Sequence, residues 1–382
     1  MSGPKPYLNS ASGRVEVAVN LLWCVPGQVG GSEEYLVRQL LGMSETDHGF
    51  DITLFAGNGF SHAHPELAAI YKIMETPETM ESRPTRVAME NTWLYAKTRT
   101  HALVHHGGGT LPALANAHSV LTVHDLQFLS YPQYQSKLKL RYLKATVPNS
   151  IKRASVVAVP SEYVRQTVIS ATGVDSGKVM VVPHGMEPSI GVDATPEDVL
   201  RRKYGLGDGP VLVYPGITHP HKNHFFLLEL MATKWNHPDL KIVFAGGKGL
   251  ADQEVTAAIT RLNLTDRVVR PGRVNDADRD GLIKMALGVV FPSEYEGFGA
   301  PVIEAMALGA PVACSDRASL PEVAGDAGIV RPLNLESWAD IPLLMEARRE
   351  SLVAKGFERA QQFTSRVSGD AILAAYEKCL SR

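Results

Sequence analysis

The sequence predicts an α/β protein built from two doubly wound domains. Short apolar runs of strand length alternate with stretches of helical period along the chain, a pattern that indicates βαβ units on a mainly parallel sheet. These runs form two series, separated by a weakly patterned stretch over 183–196. A chain of 382 residues is long for one hydrophobic core and natural for two. We therefore expect ligands at the carboxyl ends of the strands in each domain.

The first series holds six runs of strand length. The segment before it, residues 1–13, is polar and has no apolar run long enough for a signal peptide. Between 65 and 98 no single period dominates, so no element is assigned there. The expected strands are Val15–Leu22, Asp51–Phe55, Ala102–His105, Val120–His124, Val156–Pro160 and Lys178–Val182. A helix over Leu36, Leu40 and Leu41 follows the first of them.

The second series holds six more runs, with helical stretches over 225–233, 251–262 and 279–287. The expected strands are Val211–Pro215, Lys241–Gly246, Arg267–Arg270, Val289–Pro292, Pro311–Ser315 and Gly328–Arg331. A last helix is expected over 367–380. We assign residues 1–187 to the first domain and 188–365 to the second, with 366–382 packing back on the first domain.

Composition narrows the functional classes. A net charge of −2 argues against nucleic acid as the main partner. The three cysteines are widely scattered, which predicts neither a disulfide framework nor a zinc site. No stretch reaches 18 uninterrupted apolar residues, so no membrane span is expected. These features together predict a cytoplasmic protein.

The most informative stretch is EGFGAPVIE, which begins at Glu296 and ends at Glu304. It follows a buried strand, and Pro301 marks the start of a helix. A helix start presents unpaired N–H groups that bind phosphate, and Gly297 and Gly299 allow a ligand close to the backbone. Because carboxylates repel phosphate, the two acids are expected to meet hydroxyl groups. The stretch therefore predicts a sugar-nucleotide site, with a surface turn whose acids cap the helix as the alternative.

With the residues that follow, this stretch resembles the E-G-F-G-x-P-x-x-E-A-M-A-x-G-x-P-V signature of family 4 retaining glycosyltransferases. The resemblance implies a GT-B fold, in which two Rossmann-like domains face a central cleft and the donor nucleotide-sugar binds mainly on the second. It also implies that Glu296 lies at the donor sugar and Glu304 at the ribose. The backbone of Gly297, Phe298 and Gly299 would meet the diphosphate.

The stretch YPGITHPHKNH, residues 214–224, is similar to the phosphate loop of the same family. The resemblance implies that Lys222 neutralises the diphosphate as it leaves; the alternative is a lysine on a surface loop. The arginine usually found a few residues earlier is absent, because Ile217 and Thr218 stand there. We predict that His219 or His221 partly replaces it.

Three shorter stretches also match the family. Gly30 and Gly31 resemble its first-domain glycine loop, and the resemblance implies that their backbone approaches the donor. His124 matches a histidine that faces the anomeric region of the donor sugar. Arg273 and Val274 match a loop that borders the nucleobase in the family. Taken alone, the glycine pair also fits an ordinary turn, and the histidine also fits a structural role.

Other patterns point elsewhere and are weaker. Asp276-Ala-Asp278 resembles a metal motif but sits where acids favour a helix start, so no divalent metal and no cofactor is expected. The loop 106–109 resembles an esterase oxyanion loop, yet no nucleophile elbow exists in the chain. The glycines at 246–249 do not complete a dinucleotide fingerprint. Residues 136–153 carry six basic residues and no acid. They predict a solvated helix face, with contact to anionic lipid or to an acidic acceptor as alternatives.

The expected function is a retaining transfer of a hexose to a hydroxyl of an oligosaccharide or glycolipid. The His-Lys-Asn-His run is similar to mannosyl- and rhamnosyl-transferring members of the family, which favours GDP-mannose as the donor. UDP-glucose is the second choice. Two alternatives of another class are an epimerase or a non-catalytic nucleotide-sugar binder with the GT-B shape. A dinucleotide-dependent oxidoreductase is a third.

Overall fold

A computed structural model describes residues 13–187 and 189–382, and the chain divides into two compact units. The first unit comprises the chain up to Gly185 together with Thr364–Arg382, and the second is Met186–Phe363. The predictions for residues 1–12 and for Pro188 lie outside the described residues. Within the described ranges, no helix combines the length and the apolar character needed to cross a membrane.

Both units are built on parallel sheets. In the first unit the strands are β1 (Val15–Leu21), β2 (Phe50–Ala56), β3 (Lys72–Glu75), β4 (Leu103–His106), β5 (Ser119–Thr122), β6 (Val156–Val159) and β7 (Val179–Val181). In the second they are β8 (Val211–Tyr214), β9 (Lys241–Phe244), β10 (Val268–Val269), β11 (Gly288–Phe291), β12 (Val312–Ser315) and β13 (Ile329–Arg331). The sheet orders are β3-β2-β1-β4-β5-β6-β7 and β10-β9-β8-β11-β12-β13. Each order reverses direction next to its first strand, between β1 and β4 and between β8 and β11, and ligands bind at such switch points.

Helices connect the strands and cover the sheets. Along the chain they are α1 (Gly31–Ser44), α2 (Phe60–Ala63), α3 (Pro65–Ala68), α4 (Arg83–Met89), α5 (Tyr95–Thr98), α6 (Gln127–Ser130), α7 (Lys137–Arg153), α8 (Glu162–Thr172), α9 (Glu197–Tyr204), α10 (His224–Thr233), α11 (Asp252–Arg261), α12 (Asp276–Met285), α13 (Ala300–Ala307), α14 (Leu320–Ala324), α15 (Leu335–Trp338), α16 (Ile341–Ala347), α17 (Arg349–Ala360) and α18 (Ser365–Leu380). Short 3-10 turns and one π-helical turn complete the secondary structure. The predicted α/β class is confirmed.

The inner strands are continuous apolar runs because helices bury both faces of each sheet. All four residues of β6, β8 and β11 are buried. By contrast, β3 lies at the sheet edge and none of its residues is fully buried. It therefore carries no apolar alternation, and sequence reasoning missed it, along with α4, α5 and the π-helical turn between them.

The last helix returns to the first unit, as predicted, and packs on α1. The two helices approach so closely that neither can carry a side chain at the crossing. A Cβ atom on Gly42 would lie 1.7 Å from the carbonyl oxygen of Ser365, and one on Gly369 would lie 2.3 Å from the carbonyl carbon of Gly42. The pair of glycines therefore fixes the distance between α1 and α18.

Replacing Gly42 with Ala should separate the two helices, because the added methyl group would overlap backbone atoms that cannot rotate away. We expect a loss of about 3 kcal/mol in the free energy of unfolding of the first unit, at the upper end for overpacking. Calorimetric unfolding measures it. Gly49→Ala is the matched control, since a Cβ there meets no atom within 4 Å. Equal stability of the two variants would contradict the predicted helix contact.

Candidate functional site

The predicted donor residues of the second unit lie in loops that leave the carboxyl ends of parallel strands. The loop after β8 carries Lys222, and the loop after β11 carries Glu296. Because β8 and β11 are paired, with Val213 opposite Val289, both loops emerge side by side at the switch point. The topology thus brings together two residues that stand far apart in the sequence.

Lys222 and Glu296 form an ion pair at this point. The lysine Nζ lies 2.6 Å from Oε1 of the glutamate, and the two side chains are only 18% and 13% exposed. The lysine also lies over the Phe291 ring, with Nζ 5.4 Å from the ring centroid. The site therefore holds a positive charge with its counter-ion, largely shielded from solvent.

Buried hydroxyl groups, which sequence reasoning did not single out, fix both loops. Tyr214 is fully buried, and its hydroxyl donates to the carbonyl oxygen of Lys222 at 2.6 Å. Ser319 is equally buried, and its hydroxyl lies 3.0 Å from the carbonyl oxygen of Glu296 and 2.8 Å from that of Phe298. These contacts hold the backbone on either side of the ion pair. The signal for them in the sequence is weak, since a strand-end tyrosine and a loop serine are common.

Helix α13 begins where the sequence predicts, and Gly299 is its N-cap. This glycine has φ 99°, and a Cβ there would lie 2.7 Å from Cδ2 of Leu320, so another residue would be strained and crowded. The Phe298 side chain is buried and packs against Phe363. Gly297 precedes it and is half-buried.

Glu304 lies in the middle of α13 and is 5% exposed. The carboxylates of Glu304, Asp280 and Asp276 together raise the pKa of Arg279, although burial acts to lower it. Arg279 on α12 is thus a cationic neighbour of the predicted ribose-binding residue, and sequence reasoning did not find it. Its partner Asp280 also accepts a hydrogen bond from the backbone N–H of Gly191.

The two histidines of the phosphate loop have lowered pKa values in the ligand-free protein, which opposes the predicted cationic role. Burial and the nearby Lys222 lower the pKa of His221 to about 4 and also lower that of His219. The two rings stack with their centroids 5.8 Å apart. In the ligand-free protein both are neutral at pH 7, so they supply hydrogen-bonding groups where the family has a permanent charge.

Arg273 and Val274 follow β10, which β9 and β8 separate from β11. They therefore lie at one end of this sheet edge, three strands away from the loop that carries Glu296. Arg273 is exposed, whereas Val274 packs against the hydrophobic core. The placement suits a different part of a ligand from the one at the ion pair.

The predicted glycine pair of the first unit stands at the start of α1, directly after the β1 loop. Gly30 is the N-cap, with φ 71° and ψ −137°, and Gly31 is the first helical residue. Glu33 holds this loop, because its carboxylate accepts the Gly27 N–H at 3.0 Å and lies 2.9 Å from Nε2 of His64. The Glu33 carboxylate therefore fixes the loop that leads into α1, next to the two glycines at the helix start.

His124 follows β5 and is half-buried. Its Nε2 lies 2.9 Å from the carbonyl oxygen of Gly107, which requires a proton on Nε2 and leaves Nδ1 as an acceptor. Burial lowers the pKa of His124 to about 4, against the effect of that hydrogen bond. Its ring also touches Trp23 and Tyr35. The histidine is thus a neutral, oriented group.

The acids of the weak metal motif have structural partners. Asp278 is 3% exposed and accepts hydrogen bonds from Lys203, Tyr204 and Thr195, which join α12 to α9. Asp276 forms an ion pair with Arg279. Among the described residues no group of three or more potential ligands is arranged to hold a metal ion.

The loop 106–109, which resembles an esterase oxyanion loop in sequence, borders a cavity of the first unit.

Comparison with known proteins agrees with this geometry. Residues 29–190 match the model of glycosyltransferase family 4, and residues 196–351 match that of the glycosyl transferases group 1. The O-antigen chain mannosyltransferase B of Escherichia coli is 28% identical over 68% of this chain and 70% of that protein. The O-antigen chain mannosyltransferase RfbU of Salmonella typhimurium is 27% identical over 70% of this chain and 72% of its own length.

Solved structures share the fold at low sequence identity. HepE of Anabaena, in complex with UDP and glucose, has a TM-score of 0.72 and is 20% identical, covering 94% of this chain and 98% of that one. WaaG, a glycosyltransferase involved in lipopolysaccharide biosynthesis, has a TM-score of 0.63 at 16% identity, covering 96% and 98%. The chain has the GT-B fold and belongs to the family 4 glycosyltransferases.

Proposed function

We propose that this glycosyltransferase moves mannose from GDP-mannose to a hydroxyl of an oligosaccharide or glycolipid, with retention of the anomeric configuration. The observation that carries the proposal is the Lys222 ammonium, held beside Glu296 at the switch point of the second unit. A lysine there neutralises a diphosphate, and a carboxylate accepts sugar hydroxyls. The two O-antigen mannosyltransferases among the relatives support mannose as the sugar.

In the proposed reaction the bond from the anomeric carbon to the phosphate oxygen breaks, and its electron pair leaves with GDP. The acceptor oxygen forms a new bond to the same face of that carbon, and its proton passes to a phosphate oxygen of the departing GDP. Lys222 and the N–H groups at the start of α13 stabilise the growing negative charge. Glu304 binds the ribose. Gly31 and the neutral His124 keep the roles that the family resemblance implies.

A donor screen with product analysis tests this function. We expect GDP-mannose to raise the unfolding temperature, since a ligand at ~100 Kd stabilises the folded state by about 2.7 kcal/mol. UDP-glucose, ADP-glucose and NAD serve as the competing ligands. Proton NMR of the product then gives the anomeric configuration, and chelation by EDTA should leave turnover unchanged because fixed protein groups carry the positive charge. An inverted product, or stabilisation by UDP-glucose alone, would contradict the proposal.

Replacing Lys222 with Ala should lower kcat by roughly 10²–10³ if the ammonium acts mainly on the leaving diphosphate. The expected change in KM is smaller, because the charge on that group grows in the transition state. Lys234→Ala is the matched control: this lysine follows the other end of α10 and pairs with Glu336. Steady-state kinetics measures both variants. Turnover near the wild-type value in the Lys222 variant would remove this residue from the mechanism.

The affinity for GDP-mannose should stay nearly constant from pH 5.5 to 8. The pKa of His221 is about 4, so the ring is neutral throughout this range, and the diphosphate of the donor does not titrate there. If binding instead raised the pKa of His221 into the range, the affinity would fall as the pH rose. Calorimetric titration at several pH values measures it. Such a fall, absent from the His221→Gln variant, would show that the histidine does act as a cation.

A further inference from the structure

The first unit contains a cavity of about 250 Å³ between α4, α6 and α7. Its walls include Gly108 and Gly109 from the loop after β4, together with His124. A Cβ on Gly108 would lie 2.6 Å from the Trp23 ring, so this wall depends on a residue without a side chain. The cavity has room for a sugar ring or a small polar group.

Basic side chains outnumber acidic ones in the lining of this cavity. Arg83 and Arg86 come from α4, and Lys139 comes from the first turn of α7. The acid in the lining is Asp125, and its carboxylate already accepts the backbone N–H of Gln127 at 2.8 Å. The lining therefore carries an excess of positive charge.

A second carboxylate lies near the two arginines without lining the cavity. Glu90 is 7% exposed and accepts a hydrogen bond from the Asn20 side chain at 3.1 Å. Burial raises the pKa of Glu90, while Arg86 and Arg83 act to lower it. This acid offsets the basic charge only in part.

The Arg83 side chain contacts an aromatic ring and has one hydrogen-bond donor without an acceptor. Its guanidinium carbon lies 3.9 Å from the centroid of the Tyr142 ring on α7, which is a cation–π contact. Its Nε is buried and has no hydrogen-bond partner within the protein. A buried donor of a charged group without an acceptor is destabilising, so an acceptor oxygen beside it would stabilise the side chain.

We propose that Arg83 and Arg86 bind an anionic group of the acceptor substrate in the cavity that also contains His124. Planar guanidinium groups bind phosphate and carboxylate through paired hydrogen bonds, so the acceptor is a phosphorylated or acidic sugar, or a sugar joined to a lipid through phosphate. The role as an acceptor site rests on the proposed function, whereas the anion binding does not. The protein only binds the anionic group, and no covalent bond of that group is made or broken.

Binding of defined probes to the full chain tests this inference. Mannose 1-phosphate carries the anion, and methyl α-mannoside is its neutral match. Calorimetry should detect the first and not the second. In the Arg83→Gln/Arg86→Gln variant the affinity for mannose 1-phosphate should fall at least about tenfold, because charge-assisted hydrogen bonds are lost. Arg141→Gln/Lys144→Gln removes the same charge from exposed positions of α7 that do not line the cavity, and should bind as the wild type does.

Further experiments distinguish a lipid phosphate from a sugar phosphate and the first unit from the second as the place where the anion binds. In a second experiment, phosphatidylcholine vesicles with added polyprenyl phosphate replace the sugar phosphate as the probe. A loss of binding to either probe in the Arg83/Arg86 variant supports the site. The probe whose binding is lost shows whether the anion belongs to a sugar phosphate or to a lipid phosphate. Unchanged binding of both probes by that variant overturns it. So does a loss seen only in Lys222→Ala, which would place the anion in the second unit. Arg86→Gln alone serves if the double variant unfolds by circular dichroism. Failure of GDP-mannose to bind the wild type would reject the proposed function without affecting these outcomes.

Discussion

The ion pair between Lys222 and Glu296 is the interaction on which the proposed donor site depends. Both side chains are largely shielded, and removing either one would leave the other charge uncompensated, which costs far more than a surface pair is worth. The buried hydroxyl groups of Tyr214 and Ser319 hold the two loops that carry it. In the proposed function, a diphosphate bound to Lys222 would compete with Glu296 for the ammonium, and sugar hydroxyls would donate hydrogen bonds to the carboxylate. Such a pair would favour a ligand that carries both phosphate and sugar over one that carries phosphate alone.

Sequence reasoning predicted most of the fold because both sheets are parallel and buried on both faces. Inner strands such as β6 and β11 are continuous apolar runs, and the loops after them contain the glycines and acids that mark a binding edge. The edge strand β3 and the irregular helix after it were missed for the opposite physical reason. With an exposed Lys72 and a π-helical turn at Glu90–Leu94, that region follows neither the period of a strand nor that of an α-helix.

The candidate site was predictable only where one stretch of chain carries the signal. Glu296 and Glu304 stand in a single motif, so their neighbourhood could be read directly. The contact between Lys222 and Glu296 instead arises from the pairing of β8 with β11, which no local pattern encodes. The electrostatic influence of Glu304 on Arg279, which stands on another helix, is hidden from the local sequence for the same reason. The predicted cationic role of His221 stays a prediction, and the lowered pKa of this residue opposes it because burial disfavours the charged form. The sequence does not report that burial.

Net charge is a poor guide to the anionic ligand that we propose for the first unit, and Arg83 shows why. The chain carries a net charge of −2, so its overall field does not attract anions. Yet Arg83 stands on an aromatic ring with a buried, unpaired N–H, where an anion gains from short-range geometry and from exclusion of water. Salt screens such a contact less than it screens an exposed patch. Recognition in this cavity should therefore depend on the shape of the anionic group more than on ionic strength, which favours a specific acceptor over general adhesion to a charged surface.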